Sequence, residues 1–222
     1  MWVYIADMDK YIPYMPHFWS CLSTKEKQQA KKYYTKLLVD RYIISHGILR
    51  HILSYYTKQA PKNLEFGHTK YGKPFLNHSN IQFNMSHSGN MVCYGVAINY
   101  KVGIDIEYHD DNLDVMGLSD LVLTPQEIIF LKSSEEKEKH ATFYRLWTLK
   151  ESLIKANGQG LSYPINSIEA LNLLPGDKIL LANKEDNLEQ ELYIYKLKVS
   201  PAYSGFIAIE GKVDQIIYLV FR

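Results

Sequence analysis

An α+β fold is predicted by three observations on the sequence. Two long stretches, within residues 25–56 and over residues 143–157, place apolar side chains at helical spacing. Shorter runs at residues 81–85, 91–98, 192–199 and 205–209 suit strands. These strands cluster beside the long helices and do not alternate regularly with them, so antiparallel sheets are expected in place of a parallel βαβ array. Composition supports a folded chain. The 222 residues suffice for a substantial core, and 22% charged residues beside 46% hydrophobic ones exclude disorder. A net charge of +1 speaks against a nucleic-acid partner. Two cysteines, Cys21 and Cys93, imply no disulfide framework and suit a reducing cytoplasm. The opening MWVYIADMDKYIP carries acids and no basic-then-apolar order, so no signal peptide is expected. No apolar run approaches the roughly 20 residues that span a bilayer, and a cytoplasmic protein without a membrane partner is expected.

The elements follow in order. Residues 2–6 suit an opening strand, and Pro13 and Pro16 break what comes next. Ser23, Thr24, Lys25 and Glu26 offer a helix start, and residues 25–56 predict two helices meeting near residues 35–40. Arg41 and Arg50 border the apolar face of the second helix, and solvation is the ordinary expectation for both. Tyr71, Gly72, Lys73 and Pro74 form a turn signal. Ile81, Phe83 and Met85 alternate as a strand and run into Ser86, His87, Ser88 and Gly89, a turn rich in small donors. Ser86, His87 and the nearby amides suit an anion, or equally ordinary turn chemistry. Residues 109–114 are acidic and loop-like, and residues 132–140 a charged solvated segment. The carboxyl third predicts turns at residues 162–164 and 174–177, then strands of an antiparallel sheet ending with residues 216–221.

Two stretches carry candidate chemistry. In VGIDIE, Asp105 and Glu107 stand at i, i+2 and share one strand face, while Ile104 and Ile106 take the other. Two such carboxylates repel unless a cation or proton lies between them, and hard oxygens suit Mg²⁺. In WTLKESLIK, Trp147, Glu151 and Lys155 are successive i, i+4 neighbours on one helix side, stopped at Asn157–Gly158. Alone, either pair is also compatible with solvated surface charge. Glu127, three residues after Thr124 and two after Pro125, has a capping-box role at least as strong as a catalytic one.

Four stretches in fixed order, GKPFL, FNMSHSG, VGIDIE and FYRLWTLKESLIKANGQGL, together resemble the Sfp-type 4′-phosphopantetheinyl transferases. They span roughly residues 71–161. The resemblance implies a pseudo-twofold duplicated fold, a monomer of two similar α+β halves, residues 1–103 and 104–222, with coenzyme A and Mg²⁺ in the cleft between them. Such enzymes move the phosphopantetheine arm of coenzyme A to a serine of an acyl or peptidyl carrier protein and release adenosine 3′,5′-bisphosphate. Carried over by resemblance, Asp105, Glu107 and Glu151 match the metal carboxylates, with Asp105 also beside coenzyme A. Lys155 matches the lysine beside the pyrophosphate. Glu151, or else Glu127, takes the serine proton. Lys73 and Pro74 match the nucleotide-contacting turn, Ser86 and His87 the phosphate contacts, and Arg41 a basic position near the 3′-phosphate. Trp147 matches an aromatic that either packs or contacts. The chain departs from the family where early-helix lysines meet the 3′-phosphate: the aligned positions are Glu26 and Gln29, with Lys25, Lys27 and Lys31 nearby. Two other classes remain: a non-catalytic coenzyme A or carrier-binding module, for which three converging acids are superfluous, and a metal-dependent phosphohydrolase. Carrier recognition is expected around residues 113–123.

Overall fold

Residues 1–183 and 188–221 are described by a computed structural model. Strand β1 (Trp2–Asp7) ends where the Asp7 carboxylate accepts from Asp9 N and caps a 3₁₀ turn. Helix α1 (Met15–Cys21) follows, with Pro16 in its first turn. A proline there removes an N–H that has no helical partner, so the residue expected to break structure begins a helix. Helices α2 (Thr24–Ala30) and α3 (Lys36–Thr57) are capped by the Ser23 and Thr35 hydroxyls, and α3 ends at left-handed Lys58. The expected junction between two helices is therefore present, at Thr35. A short hairpin, β2 (Phe66–His68) with β3 (Pro74–Leu76), leads to β4 (Ile81–Ser88), β5 (Met91–Ile98) and β6 (Val102–Tyr108).

Three helices come next, α4 (Val115–Val122), α5 (Pro125–Ser133) and α6 (Glu136–Asn157). Gly158 at φ 88° closes α6, a conformation that costs an L side chain about 1 kcal/mol or more. The chain finishes with β7 (Lys178–Asn183), β8 (Leu188–Lys196), β9 (Tyr203–Glu210) and β10 (Ile217–Val220).

Several boundaries differ from expectation for identifiable reasons. Residues 136–140 are the first turn of α6, hidden because exposed charged residues leave no apolar stripe there. Strand β4 continues through Ser88, so Ser86 and His87 lie on a strand and the turn falls at Gly89 and Asn90. The last strand does not extend the carboxyl-terminal antiparallel sheet. It returns to pair in parallel with β1.

Two four-stranded sheets result, ordered β10-β1-β5-β4 and β6-β9-β8-β7. The 103/104 boundary falls inside β6, and β10 belongs to the first sheet. Alternation assigns each strand's faces. Val3, Cys93 and Ala97 of the first sheet meet Ile104, Ile207 and Ile209 of the second in one core. On the outer face of the first, Ile44, Ile48 and Ile52 of α3 pack on Phe83, Tyr94 and Val96. On the outer face of the second, Leu149 and Leu153 of α6 pack on Ile194, Phe206 and Ala208. Each such side chain contributes about 1.5–3 kcal/mol of burial, so two 22-residue helices are held by their sheets far more than by propensity.

The sheets meet through edge strands β4 and β6. Asn84 Oδ1 accepts from Ile104 N at 2.8 Å, and Ser88 Oγ accepts from Tyr108 N at 3.0 Å. Edge N–H groups that would otherwise lie unpaired are thereby satisfied by side chains. Helix α6 lies directly on β6: a Cβ on Gly103 would stand 2.0 Å from Ser152 O and 2.3 Å from Ala156 N. Gly103→Ala is accordingly expected to cost about 3 kcal/mol or more, because backbone has to move. Urea unfolding measures the loss, and a cost below about 1 kcal/mol would show that α6 is not seated as described.

Candidate active site

Where β4, β6 and α6 converge, a cleft of about 300 Å³ is lined by Met85, Ser86, His87, Asp105, Glu107, Trp147, Glu151 and Lys155. Period 2 on β6 sends Asp105 and Glu107 to the α6 side, as their spacing predicts. Period 2 on β4 sends Asn84, Ser86 and Ser88 toward that same edge, so two polar ladders face each other. Ser86 Oγ donates to Asp105 Oδ1 at 2.8 Å, and Ser88 Oγ donates to Glu107 Oε2 at 2.7 Å. From the sequence Ser88 reads only as one donor of a turn, not as a site residue. Its signal was available, since Ser86 and Ser88 repeat the i, i+2 spacing of Asp105 and Glu107.

Lys155 completes the floor. Its ammonium lies 2.6 Å from Asp105 Oδ1 and 3.0 Å from Ser86 Oγ. One turn earlier on α6 is Glu151, and the Trp147 indole one turn before that acts to lower the Glu151 pKa against burial and lines the same cleft. Trp147 also stacks on Tyr144, which fixes the ring. The aromatic therefore both packs and lines the cleft.

The three acids stand in an environment that disfavours their charge. Asp105 is 2% exposed. Burial raises its pKa, against the Lys155 charge and the Lys155 and Ser86 hydrogen bonds. Glu107 is pushed up to about 7, by burial first, then by the Asp105 charge, with Glu151 adding to it. Glu151 is raised by burial and by Asp105. The other Asp105 oxygen, Oδ2, is buried with no hydrogen-bond partner among the described residues. A buried carboxylate oxygen without a donor is costly, and a hard cation would satisfy it and relieve the repulsion together. These oxygens are of the kind a divalent ion such as Mg²⁺ takes, but as the side chains stand the three carboxylates do not all approach within 4.8 Å of one another, so a bound ion would draw them together. The donor set does not resemble solvated surface acids.

The raised Glu107 pKa has a stability consequence. Between its ordinary 4.5 and about 7, the folded protein holds a proton that the unfolded chain has released, so this group lowers stability as pH rises through that window. In chelator, Glu107→Gln should match wild type near pH 4.5 and become progressively the more stable toward pH 7. Parallel melting-temperature curves for the two proteins would show that Glu107 titrates normally.

Other expected site residues have other surroundings. Burial first, then the Lys155 charge, keeps the His87 imidazole below the usual pKa, with Arg41 adding to it. Arg41 pairs with Asp9 at 2.7 Å and is not among the residues that line the cleft. Lys73 points inward: its ammonium donates to the carbonyls of Val102 (3.0 Å), Lys155 (2.6 Å) and Ala156 (3.2 Å). It caps the carboxyl end of α6, where a cation is favoured, and burial pulls its pKa down to about 7. Pro74 begins β3 against His68.

Glu127 is not among the cleft residues. It is 0% exposed and pairs with Lys150, also 0% exposed. It also accepts from Thr124 N and Ala170 N, each at 2.8 Å. The capping box is real, and its carboxylate oxygens are fully occupied by structure. Arg50, expected in solvent, is 1% exposed and pairs with Glu26 at 2.7 Å, while donating to Pro61 O at 2.6 Å. Glu26 also accepts from Ser23 N at 2.7 Å. An acid at this position of α2 thus neutralises a buried arginine.

Known proteins match the chain throughout this region. Residues 101–203 match the 4′-phosphopantetheinyl transferase superfamily, and residues 13–98 the 4′-phosphopantetheinyl transferase amino-terminal family. A 4′-phosphopantetheinyl transferase of Bacillus subtilis is 30% identical over 199 residues, 84% of this chain and 85% of the relative. The 4′-phosphopantetheinyl transferase HetI of Nostoc sp. is 34% identical over 145 residues, covering 64% of this chain and 61% of the relative. The transferase gsp of Aneurinibacillus migulanus is 36% identical over 152 residues, covering 68% and 62%. With those last two the match spans only about three fifths of the relative's length. The fold and the cleft define an α+β protein with an acid-lined, anion-compatible site. The chain belongs to the 4′-phosphopantetheinyl transferase family.

Proposed function

We propose that this protein transfers the 4′-phosphopantetheine arm of coenzyme A to a serine of an apo acyl or peptidyl carrier protein. The observation that supports this most is the convergence of Asp105, Glu107, Glu151 and Lys155 with Ser86 and His87 in one cleft. In the reaction, the serine Oγ forms a bond to the phosphorus nearest the pantetheine. The bond from that phosphorus to the bridging oxygen breaks, and the electron pair leaves with adenosine 3′,5′-bisphosphate. Mg²⁺ held by Asp105, Glu107 and Glu151 would supply charge neutralisation at the pyrophosphate.

The chain's own groups do the rest. Lys155, now held by Asp105 and Ser86, exchanges those partners for phosphate oxygens and stabilises the departing charge. Ser86 and His87 hold a phosphate oxygen. Arg41 takes the 3′-phosphate, and Lys25, Lys27 or Lys31 substitutes for the basic side chains that Glu26 and Gln29 do not supply. The Lys73–Pro74 turn borders the nucleotide through its backbone. Glu151 accepts the serine proton, directly or through one water; Glu127 has no route to it. A cytoplasmic monomer serving carrier proteins fits these roles.

The test is a panel of apo carrier proteins incubated with coenzyme A and Mg²⁺. The phosphopantetheine mass increment should appear on the carrier together with equimolar adenosine 3′,5′-bisphosphate. Normal coenzyme A binding with no increment on any carrier would leave only a binding module. Coenzyme A cleavage at the same rate without carrier would make the protein a phosphohydrolase.

A further inference from the structure

A second cluster of ligating side chains lies where α1 packs on α3. His17, Cys21 and His51 each offer one atom, and all three atoms lie within 4.8 Å of one another. None of these residues lines the acidic cleft. His17 and Cys21 are i, i+4 neighbours on α1 and share a face. His51 comes from α3, and the helices are brought together at Gly47, where a Cβ would stand 2.4 Å from the Phe18 Cβ.

The same Gly47 orients His51. Its carbonyl lies 2.8 Å from His51 Nδ1, and a carbonyl only accepts, so Nδ1 carries the proton. The lone pair of the neutral ring is then on Nε2, directed at His17 Nε2 2.9 Å away. Metal-bound histidines are held in this manner, with the second nitrogen donating to a backbone carbonyl. The Ser20 hydroxyl donates to His17 O at 2.7 Å and lies 3.9 Å from Cys21 Sγ, which pins the α1 backbone between the two ligands. Cys21 is 8% exposed and forms no disulfide.

We propose that His17, Cys21 and His51 bind Zn²⁺ or a similar borderline metal ion, clipping α1 to α3. Two imidazole nitrogens and a thiolate match the ligand preference of zinc, with a fourth position for water. At Zn–N and Zn–S lengths of about 2.0–2.1 and 2.3 Å, tetrahedral ligand atoms stand roughly 3.3–3.6 Å apart. The two nitrogens therefore separate by a few tenths of an ångström and the sulfur closes in, within the reach of side-chain rotation. On binding, the thiol loses its proton to solvent, and the neutral His17 ring, which donates from Nε2 in the metal-free hydrogen bond, moves its proton to Nδ1 through solvent so that Nε2 is free to ligate. Magnesium is a poor occupant, because it demands oxygen ligands.

With the acidic cleft occupied by excess Mg²⁺, protein otherwise free of metal and titrated with Co²⁺ is expected to take up one equivalent, giving the thiolate-to-cobalt charge-transfer band and the visible bands of a tetrahedral ion. Zn²⁺ should displace it and raise the melting temperature. Cys21→Ser should abolish the charge-transfer band and weaken Zn²⁺ by more than about 100-fold, beyond what losing an outer partner costs. His51→Gln should weaken Zn²⁺ comparably. Asp105→Ala should leave the cobalt spectrum intact, which separates this site from the acidic cleft. Circular dichroism of the metal-free variants confirms that they fold. A thiolate band that survives Cys21→Ser, or folded wild-type protein that takes up no Co²⁺ and gains no stability from Zn²⁺, would overturn the proposal and leave a simple His17–His51 hydrogen bond.

Discussion

Asp105→Ala is expected to lower phosphopantetheinyl transfer by about 10³-fold or more while leaving the melting temperature unchanged or higher. The two effects have opposite signs because the carboxylate serves the reaction at the expense of the fold. Asp105 is 2% exposed, burial raises its pKa, and Oδ2 has no partner among the described residues. Its charge is tolerated through Lys155 and Ser86. Removing it frees Lys155, whose side chain is 28% exposed and rehydrates without a large penalty. Catalysis has no such relief. Loss of one preorganised charge-stabilising group costs roughly 10²–10³ in turnover, and Asp105 is proposed both to hold the cation and to fix Lys155. Asp105→Asn keeps volume and an acceptor for Ser86, so it separates charge from packing. Turnover against Mg²⁺ concentration, with thermal unfolding in parallel, checks the claim. Near-normal turnover in either variant would remove Asp105 from the reaction.

Much of this site was legible in sequence, and the reason is periodicity. Asp105 and Glu107 at i, i+2 and Trp147, Glu151 and Lys155 at i, i+4 fix which side chains share a face, and the strand and helix deliver those faces into one cleft. What periodicity cannot supply is what stands opposite. Ser88 opposite Glu107 and Asn84 opposite the Ile104 amide depend on the meeting of two sheet edges. Lys73 looked like a lysine offered at a turn; only the arrival of α6 makes its ammonium a helix cap. Arg50 borders an apolar face, and its burial rests on Glu26, 24 residues away. The parallel return of β10 to β1 pairs the two ends of the chain, which no local pattern encodes. The first turn of α6 and the short α4 failed differently: exposed charge in one and an acidic run before the other masked real helices.

Glu127→Gln is expected to destabilise the fold by about 3–5 kcal/mol while leaving turnover of the folded protein within about twofold. Glu127 and Lys150 are both 0% exposed, and breaking a buried pair leaves its partner as an uncompensated charge. Lys150 would retain only neutral acceptors, Val122 O at 2.9 Å and at most the glutamine oxygen, too little for a buried ammonium without water. Glutamine keeps the shape and one oxygen, so Thr124 N and Ala170 N cannot both retain their acceptors. The loss should depend on Lys150. Adding Lys150→Met to Glu127→Gln should recover a large part of it, since removing both charges avoids the unpaired ion. Urea unfolding of the two single variants and the double variant measures the coupling, and carrier modification per folded molecule measures the chemistry. A base at Glu127 would give the reverse pattern, turnover down more than about 100-fold with Mg²⁺ binding and stability kept. Glu127 and Glu151 are both acids in helices flanking the same core. Their company distinguishes them: Glu127 meets two amides and an ammonium, all fixed, whereas Glu151 lines an open cleft beside the Asp105 and Lys155 charges. Only the second arrangement leaves a carboxylate able to take up a cation or a proton.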